Sequence, residues 1–454
     1  MAGEWKTSPV AEAPLDIIDG DRGVNYPKQE DFSPSGDCLF LNTGNVTTTG
    51  FSFNDRSFIT KEKDAVLRKG KLQRRDVVLT TRGTVGNVAF FDESVRFDHV
   101  RINSGMVLLR ADQSKLWPRF LYQFVRSQLF KEQVAALTTG SAQPQLPIRD
   151  IRRVEIPLPP LAEQKAIAAV LGALDDKIEL NRRMNATLEG IARALFQSWF
   201  IDFDPVRWNL DHNQPSPRGR GRSAAEGVGA EGLIDARPLA GLDPATAALF
   251  PKHLEDSPLG HFPKGWIAGK LGDIGTNSRR GVQPSEIPPN TPYIALEHMP
   301  RHCIALGDWN ESADVASGKS AFKKGEILFG KLRPYFHKVG VASFDGVCST
   351  DILVLAPKSP EWFGFLLGHA SSDALIQFTD LASNGTKMPR TNWSDISSFK
   401  VALPPKPIAA AFTKLIQPML DRIHANLHQS RTLATLRDTL LPKLLSGEVS
   451  PQPI

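Results

Sequence analysis

The chain has 454 residues, 41% apolar and 23% charged, with a formal net charge of +5 and a pI near 9.0. This is ordinary globular material for about two to four domains, and its mild basicity permits a polyanionic partner without demanding one. Three scattered cysteines, Cys38, Cys303 and Cys348, exclude a disulfide framework and a paired zinc knuckle, and no apolar run reaches membrane-spanning length.

Taken in order, residues 1–157 read as one strand-rich globular unit. Leu15–Gly23 and Cys38–Val46 suggest short strands broken by glycine turns, and Asp76–Phe91 suggests two strands around a turn. Met106–Ala111 is a further strand, and Trp117–Val134 is amphipathic at helical period. The first residues, MAGEWKTSPVAEAP, lack an apolar core, so no secretory signal is expected; with the cysteine usage this predicts a cytoplasmic protein.

Residues 158–203 carry a long helix. Pro159 and Pro160 suit a helix entrance, and Glu163 lies where the helix dipole favours a negative charge. Apolar residues recur at 4–3 spacing through Ile167, Leu171, Leu174, Ile178, Leu188 and Leu195, with Asn181 and Asn185 inside the stripe. That is a coiled-coil seam of about four heptads, and it needs a partner helix.

Residues 204–258 read as a linker, with SPRGRGRS (Ser216–Ser223) and EGVGAEG (Glu226–Gly232) as its least structured parts. Residues 259–402 form a second globular unit with the parts of the first in the same order. Lys323–Phe344 answers Gly70–Phe91, Asp351–Pro357 answers Met106–Ala111, and Glu361–Asp380 answers the amphipathic helix. Residues 403–449 form a second long helix, with Pro418 expected to kink it and Gly447 expected to stop it.

The two halves are copies. Gly140–Pro160 and Gly385–Pro405, 245 positions apart, share seven of 21 residues without a gap, where composition gives roughly one. The same offset carries the seam to Phe412, Ile416, Met419, Ile423, Asn426, Leu433 and Leu440, and sets Asn181 on Asn426. A period this long is a duplicated domain. Two such helices in one chain predict an antiparallel pair with a pseudo-twofold axis. The asparagines then either face each other or lie at the solvated edge.

No catalytic constellation emerges. Gly318–Ser320 lacks the upstream glycine of a phosphate loop, Asn290–Tyr293 carries threonine where the adenine-methyltransferase tetrapeptide has another residue, and Pro300 separates His298 from His302 on any helix face. No metal site or bound cofactor is expected. The cationic turns remain: Arg82 and Thr84 in TTRGTVG, Arg279 and Arg280 in SRRG, Lys331, Arg333 and Lys338 in FGKLRPYFHK, and Lys387 and Arg390 in KMPR. Arginine and lysine neutralise phosphates or read guanine edges, so these residues are the DNA-contact candidates, with Arg82 and Arg333 foremost.

Leu158–Val206, its echo at Leu403–Leu445, FPKGW (Phe262–Trp266), LDIIDGDRGVNYP (Leu15–Pro27) and LLPKLLSGEV (Leu440–Val449) together resemble the specificity subunits of type I restriction-modification systems. The resemblance spans nearly the whole chain. It implies an α+β protein: two similar strand-rich target-recognition domains joined by two long antiparallel coiled-coil helices. Each domain would read half of a bipartite site in double-stranded DNA, with the helices as spacer. Two modification (methyltransferase) subunits would dock on the chain, and restriction subunits would join them. S-adenosylmethionine, ATP and magnesium would sit on those partners. A coiled-coil scaffold or an autonomous DNA-modifying enzyme are the competing classes.

Overall fold

The computed structural model describes residues 5–137, 145–212, 242–257, 260–382 and 388–451. Ser216–Ser223, Glu226–Gly232, Lys387 and the first residues of each copied stretch lie outside them. Contacts divide the chain into two compact units, Met1–Ile178 with Thr432–Ile454, and Glu179–Arg431. Each takes one part of Leu161–Phe196, the first long helix, and one part of Lys406–Ser446, the second.

In the first unit, Thr7–Pro9 pairs antiparallel with Glu155–Pro157, just before the long helix. An antiparallel sheet runs in the order Leu15–Asp19, Met106–Ala111, Val77–Thr80, Val88–Phe90. Alternate side chains leave opposite faces of a strand. Val77, Leu79, Val107 and Leu109 therefore meet Phe120, Phe124, Ile167, Leu171, Leu441 and Leu444, whereas Val78, Met106 and Leu108 meet Leu39, Leu41 and Ile102. Both faces are covered, which is why these strands read as continuous apolar runs. The expected amphipathic helix is two, Pro118–Arg126 and Gln128–Leu137. Ser127 separates them: its hydroxyl donates to the Phe124 carbonyl at 2.6 Å and accepts from the Phe130 N–H at 3.2 Å, competing with the helical ladder.

The long helices run antiparallel here. Glu163 meets Ser450 at one end, and Asp175 meets Arg437 further along. Asp175 accepts from Gln123, Arg126 and Arg437, each at 2.7 Å. Burial pushes its carboxyl pKa up, but the two guanidiniums and the amide outweigh this and hold it below the ordinary value. Leu174, Ile178, Leu433 and Leu440 are half-buried along the seam.

The second unit repeats the plan. Ile267–Lys270 pairs antiparallel with Lys400–Leu403, and the main sheet runs Gly275–Asn277, Ile352–Pro357, Ile327–Gly330, Val339–Val341. Its helix pair, Phe363–Ala370 and Asp373–Ala382, breaks beside Ser372, which donates to the His369 carbonyl at 2.8 Å and accepts from Leu375 N–H at 3.2 Å. These partners lie 245 positions beyond those of Ser127. The first long helix ends in a widened turn, Gln197–Ile201, which buries Trp199 and Phe200 against Phe412 and Phe365. Gly368 is required at this junction: a Cβ there would fall 2.0 Å from Phe196. Parts of the expected linker belong to this core. Asp204–His212 is helical, Pro244–Ala247 is a short helix, and Val206 and Phe250 are buried with Trp199.

The helices are antiparallel in this unit too. Asn181, Asn185 and Asn426 are 0%, 6% and 1% exposed, so the asparagines face each other within the seam. Asn181 Nδ2 donates to Gln429 Oε1 at 2.9 Å and to the Asn426 carbonyl at 3.4 Å, and Asn426 Nδ2 donates to Asn185 Oδ1 at 2.8 Å. Phe412, Ile416 and Ile423 are buried, and Leu188 and Leu195 half-buried. Leu420 takes the fully buried position expected for Met419, because a straight helix drifts from a strict 3.5 repeat. The second long helix is continuous through the exposed Pro418. Gly447 adopts a left-handed φ of 78° after its last residue, as a stop requires.

Asn426→Ala leaves Asn185 Oδ1 buried without its donor and is expected to cost about 1–3 kcal/mol in urea unfolding of the second unit; an unchanged midpoint would contradict the amide layer. His369, packed against Phe196 and Phe365, has its imidazole pKa pushed by burial from 6.5 down to about 3. The unfolded chain then binds a proton that the folded one refuses. Stability should be full above about pH 6.5 and fall by up to about 1.4 kcal/mol per pH unit toward pH 3. His369→Leu should flatten that slope in pH-dependent denaturation, and an unaltered slope would place it elsewhere.

Candidate nucleic-acid interface

In the first unit, the turn Thr81–Asn87 joins Val77–Thr80 to Val88–Phe90. Thr80 Oγ1 donates to the Thr84 carbonyl, and Asn87 Nδ2 donates to the Val46 carbonyl at 2.9 Å. These bonds brace the base of the turn, while Gly83, at φ 72°, lets its tip reverse. Arg82 and Thr84 are exposed on it. The Thr81 N–H reaches the Gly105 carbonyl at 2.8 Å, and the Leu146 N–H reaches the Thr81 carbonyl at 3.0 Å. This hooks the turn to the segment before the long helix and sets Arg82 opposite Gln145.

The second unit uses the same hook. The Lys331 N–H donates to the Asp351 carbonyl at 2.9 Å, and the Thr391 N–H to the Lys331 carbonyl at 3.0 Å, which sets Leu332 opposite Arg390. Position by position, Leu332 stands where the first unit has Arg82. Arg333, left-handed at φ 51°, stands where it has Gly83, and Arg390 stands where it has Gln145. Each unit thus puts one arginine at this bridge, but on opposite strands of it. Arg82 and Arg333, the foremost candidates in the sequence, are therefore not equivalent: in the hydrogen-bond register Arg333 lies one residue beyond the position of Arg82.

Arg390 opens into a cleft of about 810 Å³ that Arg279, Lys319 and Lys331 also line, with Asn277, Gln283, Asn392 and Trp393. No carboxylate is among its described lining residues. Asp351 lies 3.5 Å from Arg390 and, among the described residues, is the one acid that pairs with any of these four cations. The cleft therefore offers donors, positive charge and one aromatic edge, a combination matched to phosphate oxygens and base edges. Lys319 is buried and its ammonium is held by Ser317, through its hydroxyl at 2.7 Å and its carbonyl at 2.8 Å, so it adds charge to the cleft and not a free donor; it lies in the strand Lys319–Phe322. The Gly318–Ser320 segment accordingly serves a strand and not a phosphate loop.

Two of the candidate cations are engaged inside the protein. Arg280 is ion-paired with Glu326 and donates to the Ala321 carbonyl at 3.3 Å. Lys338 donates to the Leu296 carbonyl at 2.5 Å, and its burial beside Arg301 pushes the ammonium pKa below its ordinary value. Arg333 is half-buried, its Nε enclosed without a hydrogen-bond partner. Lys387 lies outside the described residues. Sequence reading missed Lys319, Gln283, Asn392 and Trp393, which converge only through pairing of distant strands. It had the signal for Arg390, which the internal offset aligns with Gln145.

The sequence model of the family described as type I restriction modification DNA specificity domain matches the chain twice, over residues 15–190 and 263–434. The specificity subunit of the type I restriction enzyme HindI of Haemophilus influenzae is 25% identical over 458 residues, covering 95% of this chain and 98% of its own. That of MjaIX from Methanocaldococcus jannaschii is 26% identical over 387 residues, covering 82% and 77%. The crystal structure of a type I restriction-modification S subunit from M. genitalium matches at a TM-score of 0.52 and 16% identity, over 97% of this chain and 96% of that one, a likeness of fold.

Proposed function

This chain belongs to the type I restriction-modification DNA specificity family, and from that premise we propose that it is the sequence-reading subunit of such a complex. Each unit reads one half of a bipartite site in double-stranded DNA. The observation that carries this is the repeated hook: both units anchor the turn after the same sheet strand to the segment before a long helix, and both set an exposed arginine there. One scaffold with different side chains at equivalent positions is what two half-sites of different sequence need. The long helices set the spacing between half-sites and dock two modification subunits, with restriction subunits added for cleavage. Methyl transfer and cleavage belong to those partners, as do S-adenosylmethionine, ATP and magnesium, and the chain itself is non-catalytic.

Side chains divide by role. Arg82 and Arg390 are the base-reading arginines, Arg279 and Lys331 hold phosphates, and Arg280 and Lys338 are spent on protein contacts. Arg82→Ala and Arg390→Ala should each relax one half of the methylated motif, at about 1–3 kcal/mol per lost bidentate contact. Arg279→Ala and Lys331→Ala should weaken all sequences alike and lower the salt slope by about one each. Binding of the assembled complex across a salt series, with motif mapping in cells, measures both. An unchanged motif and affinity for Arg82→Ala and Arg390→Ala would move the contacts elsewhere. Four residues inserted after Leu188 lengthen that helix by about 6 Å. The gap between half-sites should then grow by about two base pairs at ~3.4 Å each with both half-sites kept; an active variant with the original gap would rule the helices out as the ruler.

A further inference from the structure

Sequence reading set aside the pair His298 and His302, and the structure separates them. His298 Nδ1 accepts from the Ala295 N–H at 2.9 Å, whereas His302 meets His337, with ring centroids 4.4 Å apart. Asp373, the first residue of its helix, completes a group whose ligand atoms all lie within 4.8 Å of one another.

His337 is 4% exposed, and its two nitrogens have unlike surroundings. Nε2 lies 3.0 Å from the Ser371 carbonyl, which only accepts, so Nε2 carries the proton. Nδ1 then presents a lone pair. It is buried without a hydrogen-bond partner and faces Asp373 Oδ1, another acceptor, at 3.2 Å. Asp373 is exposed, but the Nδ1 lone pair is not, and two acceptor atoms facing each other at this distance offer a place for a cation.

We infer that His302, His337 and Asp373 form a binding site for a divalent ion of the zinc class. Two imidazoles and a carboxylate are a donor set of borderline softness suited to zinc. At metal–ligand distances of about 2.0–2.1 Å, tetrahedral neighbours lie ~3.3 Å apart, close to the 3.2 Å between Nδ1 and Oδ1. The His337 Nε2–H on a backbone carbonyl is the outer contact that orients a ligating histidine. His302 and Asp373 are exposed, so they can close on the ion while the fourth position stays open to water. Arg193, whose guanidinium lies 3.5 Å from the His302 carbonyl, is the cation this site must tolerate. The ion would tie together three segments remote in sequence. One of them, Pro334–Phe336 with left-handed residues Arg333 and His337 on either side, begins where the second unit hooks its turn.

The test uses the untagged full chain, stripped with chelator and titrated with Co²⁺ and then Zn²⁺. One equivalent of Co²⁺ should bind with visible d–d absorption, Zn²⁺ should displace it, and Zn²⁺ should raise the melting temperature. His302→Gln and Asp373→Asn replace exposed side chains, so both variants should fold, with wild-type circular dichroism, and lose the absorption and the melting shift. A wild-type chain that binds no stoichiometric metal, or variants that bind as wild type does, would overturn the site.

Discussion

Three asparagines buried in an apolar seam decide which turn of one long helix meets which turn of the other. An apolar stripe alone tolerates sliding by a heptad. A buried amide does not, because each slid register leaves a donor or acceptor without a partner. In the second unit Asn426 bonds Asn185 and lies against Asn181, and that register brings Phe412 beside Phe196 and Phe200. The aromatic cluster then seats the helix Phe363–Ala370, which in turn packs against the sheet that carries the cationic turn. In the first unit Asp175 plays the fixing part, held by Arg437 from the other long helix and by Arg126 from the helix on the sheet.

Much of this was legible in the sequence, for reasons that can be named. The long helices show because their stripe is narrow and sustained, and the duplication shows because the ends of the recognition units are copied without a gap. The sheet strands show as apolar runs, since both faces are covered. The helix breaks at Ser127 and beside Ser372 were hidden. Their cause is a hydroxyl competing for backbone partners, which leaves the amphipathic period intact.

The candidate interface was less legible, because its composition is local but its geometry is not. Arg280 and Arg279 are adjacent in sequence, yet Glu326 engages one while the other lines the cleft. Lys331 and Lys338 flank one turn, and only the first faces the cleft. Arg333 ranked with Arg82 as a candidate, but it stands, with a left-handed backbone, where the first unit has glycine. A cationic turn names candidates, and strand pairing and burial then decide which cations are available to a ligand.

The central claim is that each unit reads its own half-site. Its most direct test exchanges residues 255–402 for the matching segment of a relative with a different target, then maps the methylated motif in cells supplying the methyltransferase partner. One half of the motif should change to the relative's while the other stays as it was. A change in both halves would contradict the account.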